Sequence, residues 1–346
     1  MRRHLNTLYV TTENAWLHKD GENIVVKVEG SEQARVPIHI LGSVVCMGTL
    51  GATPALLGHC ARNGVCVTFT ARSGRFLARM EGPVTGNVLL RRRQYRAADN
   101  AEQSGALASH VVTGKILNQR TVVRRALRDH GTTMPPDGRE RLRTCERRLT
   151  NAARRAAHRG DVDSVRGVEG EAARAYYEVF DDLTRHEDGC FAFDGRSRRP
   201  PLNRMNALLS FLYTLLVHDC RSALEVVGLD PAVGFLHSER PGRPSLALDL
   251  MEELRPAFAD RLALSLVNRR QLSARDFTIA VSGAVTMGER ARKSVLVAYQ
   301  TRKQDELTHP FLQEKTTWGL VPFIQANQFA SHLRGDLDAY PPFLWR

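Results

Sequence analysis

The chain has 346 residues, of which 42% are hydrophobic and 7% aromatic, the composition of an ordinary globular protein, and it is long enough for two domains with separate cores. Its net charge of +12 and pI near 9.9 point to an anionic partner, nucleic acid ahead of a membrane surface. The longest apolar run, Ala207 to Val217 with Ser210 and Thr214 inside it, falls well short of the ~20 residues that cross a bilayer, and the start MRRH lacks the apolar core of a secretory signal. Six scattered cysteines form no CxxC pair and no zinc-finger spacing, which argues against structural zinc and fits a reducing cytoplasm.

The first 80 or so residues alternate apolar and polar in period two, as in 8–12, 24–28, 65–69 and 75–79, and turn residues such as Lys19-Asp20-Gly21 separate the runs. One helix is expected within them, from Thr53 to Asn63, with Gly64 as its stop. Gly82-Pro83 and Gly86-Asn87 punctuate the chain next. The expected division is a β-rich domain over 1–84, a basic linker over 85–96 and an α-helical domain over 97–346.

Helical periodicity then dominates, in 106–126, 141–157, 165–183, 206–227 and 253–268. Charge is concentrated at the start of this half. Residues 91–159 hold 17 basic against 6 acidic side chains, an excess that nearly equals the net charge of the whole protein. Arg91, Arg92 and Arg93 open that run and are candidate phosphate contacts, although solvated helix faces would give the same composition. The connection from Asp181 to Arg204 is longer than a usual helix link, and its Arg196-Ser-Arg198-Arg199 run is either a DNA contact or a plain surface loop.

The stretch 233–256, VGFLHSERPGRPSLALDLMEELRP, gathers His237, Asp249, Glu252 and Glu253 around a Pro-Gly bend and reads as half of a metal site. Carboxylate oxygens suit a divalent ion that works on phosphate esters, and an added imidazole shifts preference toward ions such as manganese. Arg240 and Arg243 flank the bend, expected as a type II turn, and Arg255 follows; their guanidinium forks would suit a phosphodiester. Asp249 and Glu252 have an equally good structural reading as a capping box at a helix start, with Pro256 marking a break or start nearby. Glu169, between Gly167 and Gly170, is a further ligand candidate, because each glycine costs roughly 0.5–1 kcal/mol in a helix and so suggests a close approach. A helix N-terminus would also tolerate this pattern. No HExxH, P-loop, GxGxxG after a strand or GxSxG is present, which disfavours zinc peptidase, NTPase, nicotinamide and serine-hydrolase chemistry.

Three strings together resemble the CRISPR-associated integrase and endonuclease family of spacer acquisition: Arg166-Gly-Val-Glu-Gly170 with Ala-Ala-Arg174 after it, Gly234-Phe-Leu-His237, and Leu248-Asp-Leu-Met-Glu-Glu-Leu-Arg-Pro256. They stand in the family's order, with 68 residues from Glu169 to His237 and 15 from His237 to Glu252. The resemblance covers essentially the whole chain. Leu254 replaces the phenylalanine that many relatives carry before Arg-Pro, a hydrophobic exchange. The string Arg198-Arg-Pro-Pro-Leu-Asn203 and the ending Tyr340-Pro-Pro-Phe-Leu-Trp-Arg346 resemble the branch of type I systems, subtype I-C. The resemblance implies an α+β architecture, with an N-terminal β-sandwich domain followed by a larger all-α catalytic domain. It also implies Glu169, His237 and Glu252 as catalytic ligands of Mg2+ or Mn2+, with Asp249 supporting them or facing DNA. The implied partners are double-stranded and branched DNA, a second copy in a homodimer made through the β domains, a small ferredoxin-like companion subunit and an accessory CRISPR nuclease. The competing readings are a DNA-binding architectural protein without catalysis and a metal-dependent nuclease of branched-DNA repair.

Overall fold

The computed structural model describes residues 6–80, 82, 87–158, 160–185 and 189–345. The chain forms two units: one of residues 1–85 with 292–306 and 317–320, the other of 86–291 with 307–316 and 321–346. The expected junction at 84/85, with Pro83 and Gly86 beside it, lies outside the described residues, as does Arg159 at the end of the basic run.

The N-terminal unit contains two four-stranded sheets. One is ordered β1-β5-β7-β8, from Thr7–Val10, Ser43–Met47, Cys66–Thr70 and Phe76–Met80; the other is β4-β3-β2-β6, from Ser31–Pro37, Asn23–Val28, Trp16–Asp20 and Gly51–Ala52. The first sheet is parallel from β1 through β7 and antiparallel between β7 and β8. Inward positions of both sheets, among them Val10, Leu17, Ile24, Val26, Val44, Cys46 and Val67, bury one shared core with Leu56 and Cys60 of helix α1 (Pro54–Arg62). Thr53 caps α1 by accepting from Leu56 N–H, and Gly64 (φ +64°) ends it, as the sequence predicts. This is the two-sheet packing expected of the β-sandwich.

The second unit is built on helices α2 (Val88–Asp99), α3 (Ala101–His130), α4 (Pro136–Ala157), α5 (Val162–Glu178), α6 (Arg204–Val227), α7 (Ser245–Leu254), α8 (Arg261–Asn268) and α10 (Val321–Arg334). Helix α9 (Glu289–Gln304) runs mostly within the first unit's residues. Two expectations are corrected. The basic stretch 85–96 is not a linker: Asn87 accepts from Leu89 and Leu90 N–H and starts a helix, because its side chain satisfies two of the orphan amides of the first turn. Nor does the all-α half run unbroken from 97 to the C-terminus, since 292–306 and 317–320 group with the first unit.

Helix α3 is the spine of the helical unit, packing on α4, α5 and α7. Its approach to the start of α5 is backbone to backbone: a Cβ added at Gly105 would stand 1.7 Å from the Gly160 carbonyl oxygen. Gly105→Ala should therefore destabilise the protein by about 3 kcal/mol, read as a lower urea midpoint, because neither chain can give way as a flexible side chain would.

Candidate metal centre

Pro256 lacks an N–H and cannot bond back to the Glu252 carbonyl, and the chain responds with a π-helical turn over Arg255–Asp260 that links α7 to α8 without interrupting the rod. Asp249 and Glu252 thus lie inside α7, three residues apart on one face, and both are buried. The capping-box reading is excluded, since α7 begins at Ser245 after Pro244.

Asp249 organises the loop that carries His237. Its Oδ2 accepts from Phe235 N–H at 2.7 Å and Leu236 N–H at 3.0 Å, and its Oδ1 from His237 N–H at 3.0 Å. The same Oδ1 lies 2.6 Å from His237 Nδ1. With Nδ1 donating to the carboxylate, Nε2 keeps its lone pair and faces Glu252, 3.8 Å from Oε1. Gly234 permits this approach, because a Cβ there would lie 2.8 Å from Ser245 and 2.9 Å from Asp249 Oδ2. Arg166 of α5 ties the loop down by donating from Nε to Leu236 O at 2.7 Å. The expected type II turn is present: Arg243 N–H donates to Arg240 O at 3.0 Å, with Gly242 at φ +74°.

Glu169 stands in the middle of α5, away from its N-terminus, which is capped by Asp161. Lys115 of α3 joins it to Glu252: its ammonium pairs with Glu169 Oε1 and lies 2.6 Å from Glu252 Oε2. Gly167 and Gly170 meet nothing within 4 Å of an added Cβ, so the close approach expected at them does not come from this chain. Among the described residues, no three His, Cys, Asp or Glu side chains already converge as a metal cage. A lysine ammonium occupies the gap. The donor set nonetheless fits a hard divalent ion, with two carboxylates and one oriented imidazole, and Glu252 Oε2 is buried with a cation, the Lys115 ammonium, already 2.6 Å away.

Burial would raise the Glu252 carboxyl, but the charges of Arg255 and Lys115 hold it well below the usual range. Arg255 itself is mostly covered, with 12% of its side chain exposed, 2.9 Å from Glu252 Oε1 and over the Tyr213 ring at 4.8 Å. The expectation that Arg255 faces DNA gives way to a role inside the protein, because its guanidinium neutralises a buried carboxylate. Arg240 is exposed, Arg243 half-buried, and Arg91, Arg92 and Arg93 lie along α2 with Arg92 and Arg93 exposed. Arg196, read as a surface arginine, is half-buried and donates to Asn206 Oδ1 at 2.6 Å.

Glu253 points away from the cluster, one residue and about 100° round the helix. It accepts from Tyr340 OH at 2.6 Å, Phe343 N–H at 2.8 Å and Gln325 Nε2 at 3.0 Å, and Asn118 of α3 bonds both the Glu253 and Phe343 carbonyls at 2.7 Å. Sequence reading missed Lys115 and this clasp. Lys115 lacks any motif, whereas the terminal Tyr340-Pro-Pro-Phe343 string was visible without a partner.

The family model for CRISPR-associated protein Cas1 matches residues 8–301. The chain belongs to the Cas1 family. It is 56% identical, across the full length of both chains, to a protein of Rhodospirillum rubrum named CRISPR-associated endonuclease Cas1 2. It is 53% identical, again over all of both, to CRISPR-associated endonuclease Cas1 1 of Chlorobaculum tepidum. In fold it is similar to a Cas1 protein of Thermotoga maritima (TM-score 0.79, 22% identity, 95% of this chain and 97% of that one). It is also similar to a casposase bound to integration product (TM-score 0.83, 19% identity, 99% and 94%). The resemblance carried by the three motifs is therefore correct at the level of the family, and so is the expected order of a strand-rich domain before a helical one.

Burial pushes the Glu253 carboxyl up to about 7 from an ordinary 4.5, despite its three donors. A carboxyl raised in the folded state contributes stability below pH 4.5 that is lost as pH climbs through 7. Between pH 5 and 8 the wild type should lose about 2–3 kcal/mol relative to Glu253→Gln, measured by urea unfolding. Asp260, raised to about 6 by burial between Tyr176 and Tyr213, leaves a residual slope in both proteins.

Proposed function

We propose that this chain is a metal-dependent DNA endonuclease and integrase that inserts short foreign DNA fragments into a CRISPR repeat array. The attacking group is the 3′-hydroxyl of the fragment, and the broken bond is a phosphodiester of the repeat. The reading is supported by Lys115 bridging Glu169 and Glu252, carboxylates of two separate helices, while Asp249 turns His237 Nε2 toward Glu252. Membership of the Cas1 family, whose curated relatives are named endonucleases, supports it.

Mg2+ or Mn2+ held by Glu169, His237 and Glu252 would supply charge stabilisation at the scissile phosphate. The chain's own residues prepare for that. Asp249 keeps the proton on His237 Nδ1, so that Nε2 is free to ligate. Arg255 keeps Glu252 ionised in a buried position. Arg240 and Arg243, in the turn just after His237, would take the flanking phosphates, and Arg91, Arg92 and Arg93 would offer a second strip of positive charge. The partners proposed are double-stranded and branched DNA, a second copy through the β domains, a small ferredoxin-like companion and an accessory CRISPR nuclease. One structure of similar fold is titled a Cas6-RT-Cas1–Cas2 complex, matched over 98% of this chain and 36% of that one at 21% identity with a TM-score of 0.81.

Purified protein should join a 3′-OH duplex to a repeat-containing plasmid in the presence of Mn2+ or Mg2+. Glu169→Ala, His237→Ala and Glu252→Ala should each lower joining by more than about a hundredfold while leaving duplex binding intact. Joining retained in all three would remove the site, and cleavage of branched DNA without joining at repeat ends would favour a repair nuclease. Replacing Arg91, Arg92 and Arg93 together by Ala should weaken binding evenly across sequences and reduce its salt slope by roughly one for each phosphate no longer neutralised, read from titrations at several salt concentrations.

A further inference from the structure

We propose that Lys115 is a built-in counter-ion that stands in for the divalent cation in the metal-free protein and must withdraw before the metal binds. The inference rests on the metal reading above and concerns the state of the site before loading.

The ammonium is placed as a cation between ligands would be. It pairs with Glu169 Oε1 and lies 2.6 Å from Glu252 Oε2, so one positive centre bridges carboxylates from α5 and α7. A divalent ion held by the same two carboxylates would compete for the place that the ammonium fills, so the two cations would exclude each other. The side chain is only 5% exposed, so the charge is a committed buried one rather than a surface lysine that happens to lean inward. It also solves a real problem, since Glu252 is 3% exposed and a second carboxylate nearby would otherwise repel it.

The residue type is informative. The chain carries 43 arginines and 6 lysines, yet the position between the carboxylates is taken by a lysine. A compact, single-point ammonium on a flexible four-carbon stem can occupy an ion's place and leave it, whereas a planar guanidinium fork can do neither well. Arg255, the other cation of the cluster, is fixed by its bond to Glu252 Oε1 and by the Tyr213 face. Lys115 is then the one to withdraw, and Glu169, at 27% exposure, is the more open of its two carboxylates. Metal loading is then an exchange of cations at the same two carboxylates, and the affinity measured is reduced by the work of displacing the ammonium.

Isothermal titration of Mn2+ into wild type, His237→Ala and Lys115→Met tests this. Wild type should bind one class of Mn2+ site that His237→Ala abolishes, and Lys115→Met should bind there at least about tenfold more tightly. The variant should also have a lower melting temperature without metal and a larger rise on adding it. Equal or weaker binding by folded Lys115→Met overturns the proposal and leaves the metal site standing. Binding that His237→Ala does not change removes the metal site and this inference with it. If Lys115→Met does not fold without metal, 15N-lysine spectra of the wild type decide. The protected ammonium signal of Lys115 should vanish or shift on saturation with diamagnetic Mg2+, and its persistence unchanged overturns the exchange.

Discussion

The helical unit is organised around one electrostatic demand, which is that Glu252 be ionised while buried. An unpaired carboxylate there would cost several kcal/mol, and two cations meet the demand: Arg255 on one oxygen and Lys115 beside the other, with His237 Nε2 facing the first. The two cations and His237 come from different places in the chain. Arg255 belongs to the turn that ends α7, Lys115 to the long helix α3, and His237 to a loop held by Asp249. The crossing of α3, α5 and α7 is therefore a condition of the charge balance, and close backbone approaches such as Gly105 on Gly160 set how near those helices can come.

Adjacent carboxylates on α7 are put to opposite uses. Glu252 faces cations and is kept charged, while Glu253, turned away by one residue's rotation, faces neutral donors and is driven toward its protonated form. The π-helical turn at Pro256 lets both survive on a continuous rod, since it absorbs the missing amide without redirecting the helix. On the Glu253 side, the terminal segment from Tyr340 to Trp345 returns to α7 and α3, with Trp345 N–H bonded to Asn118 Oδ1 at 2.8 Å and the Trp345 ring 3.9 Å from the Arg125 guanidinium. The tail braces the back of the helix whose front carries the site.

Much of this was legible in the residues. Period-two alternation found β1, β3, β7 and β8, and Thr53 and Gly64 bracketed α1, because those signals depend on backbone geometry that is local. Strands β2, β4, β5 and β6 lie outside those alternating runs, since their identity comes from the neighbours they pair with. The capping reading of Asp249 and Glu252 is a sound local inference that fails because the helix starts at Ser245, after Pro244, where loop 233–237 packs on it. The basic linker failed for the complementary reason, a single asparagine cap that converts 88–99 into helix.

The sequence by itself determined the family, the order of a strand-rich and a helical unit, and the candidate ligands Glu169, His237 and Glu252, since motif spacing and residue chemistry are properties of the chain alone. Only the tertiary structure decided what surrounds them. It assigned Asp249 to orienting His237, moved Arg255 from a DNA-facing role to an internal counter-charge, and set Lys115 between two carboxylates 54 and 137 positions away in the chain. The physical reason is that charge compensation in a buried site is a matter of distance in space, and no local pattern records which lysine a fold will bring to a given glutamate.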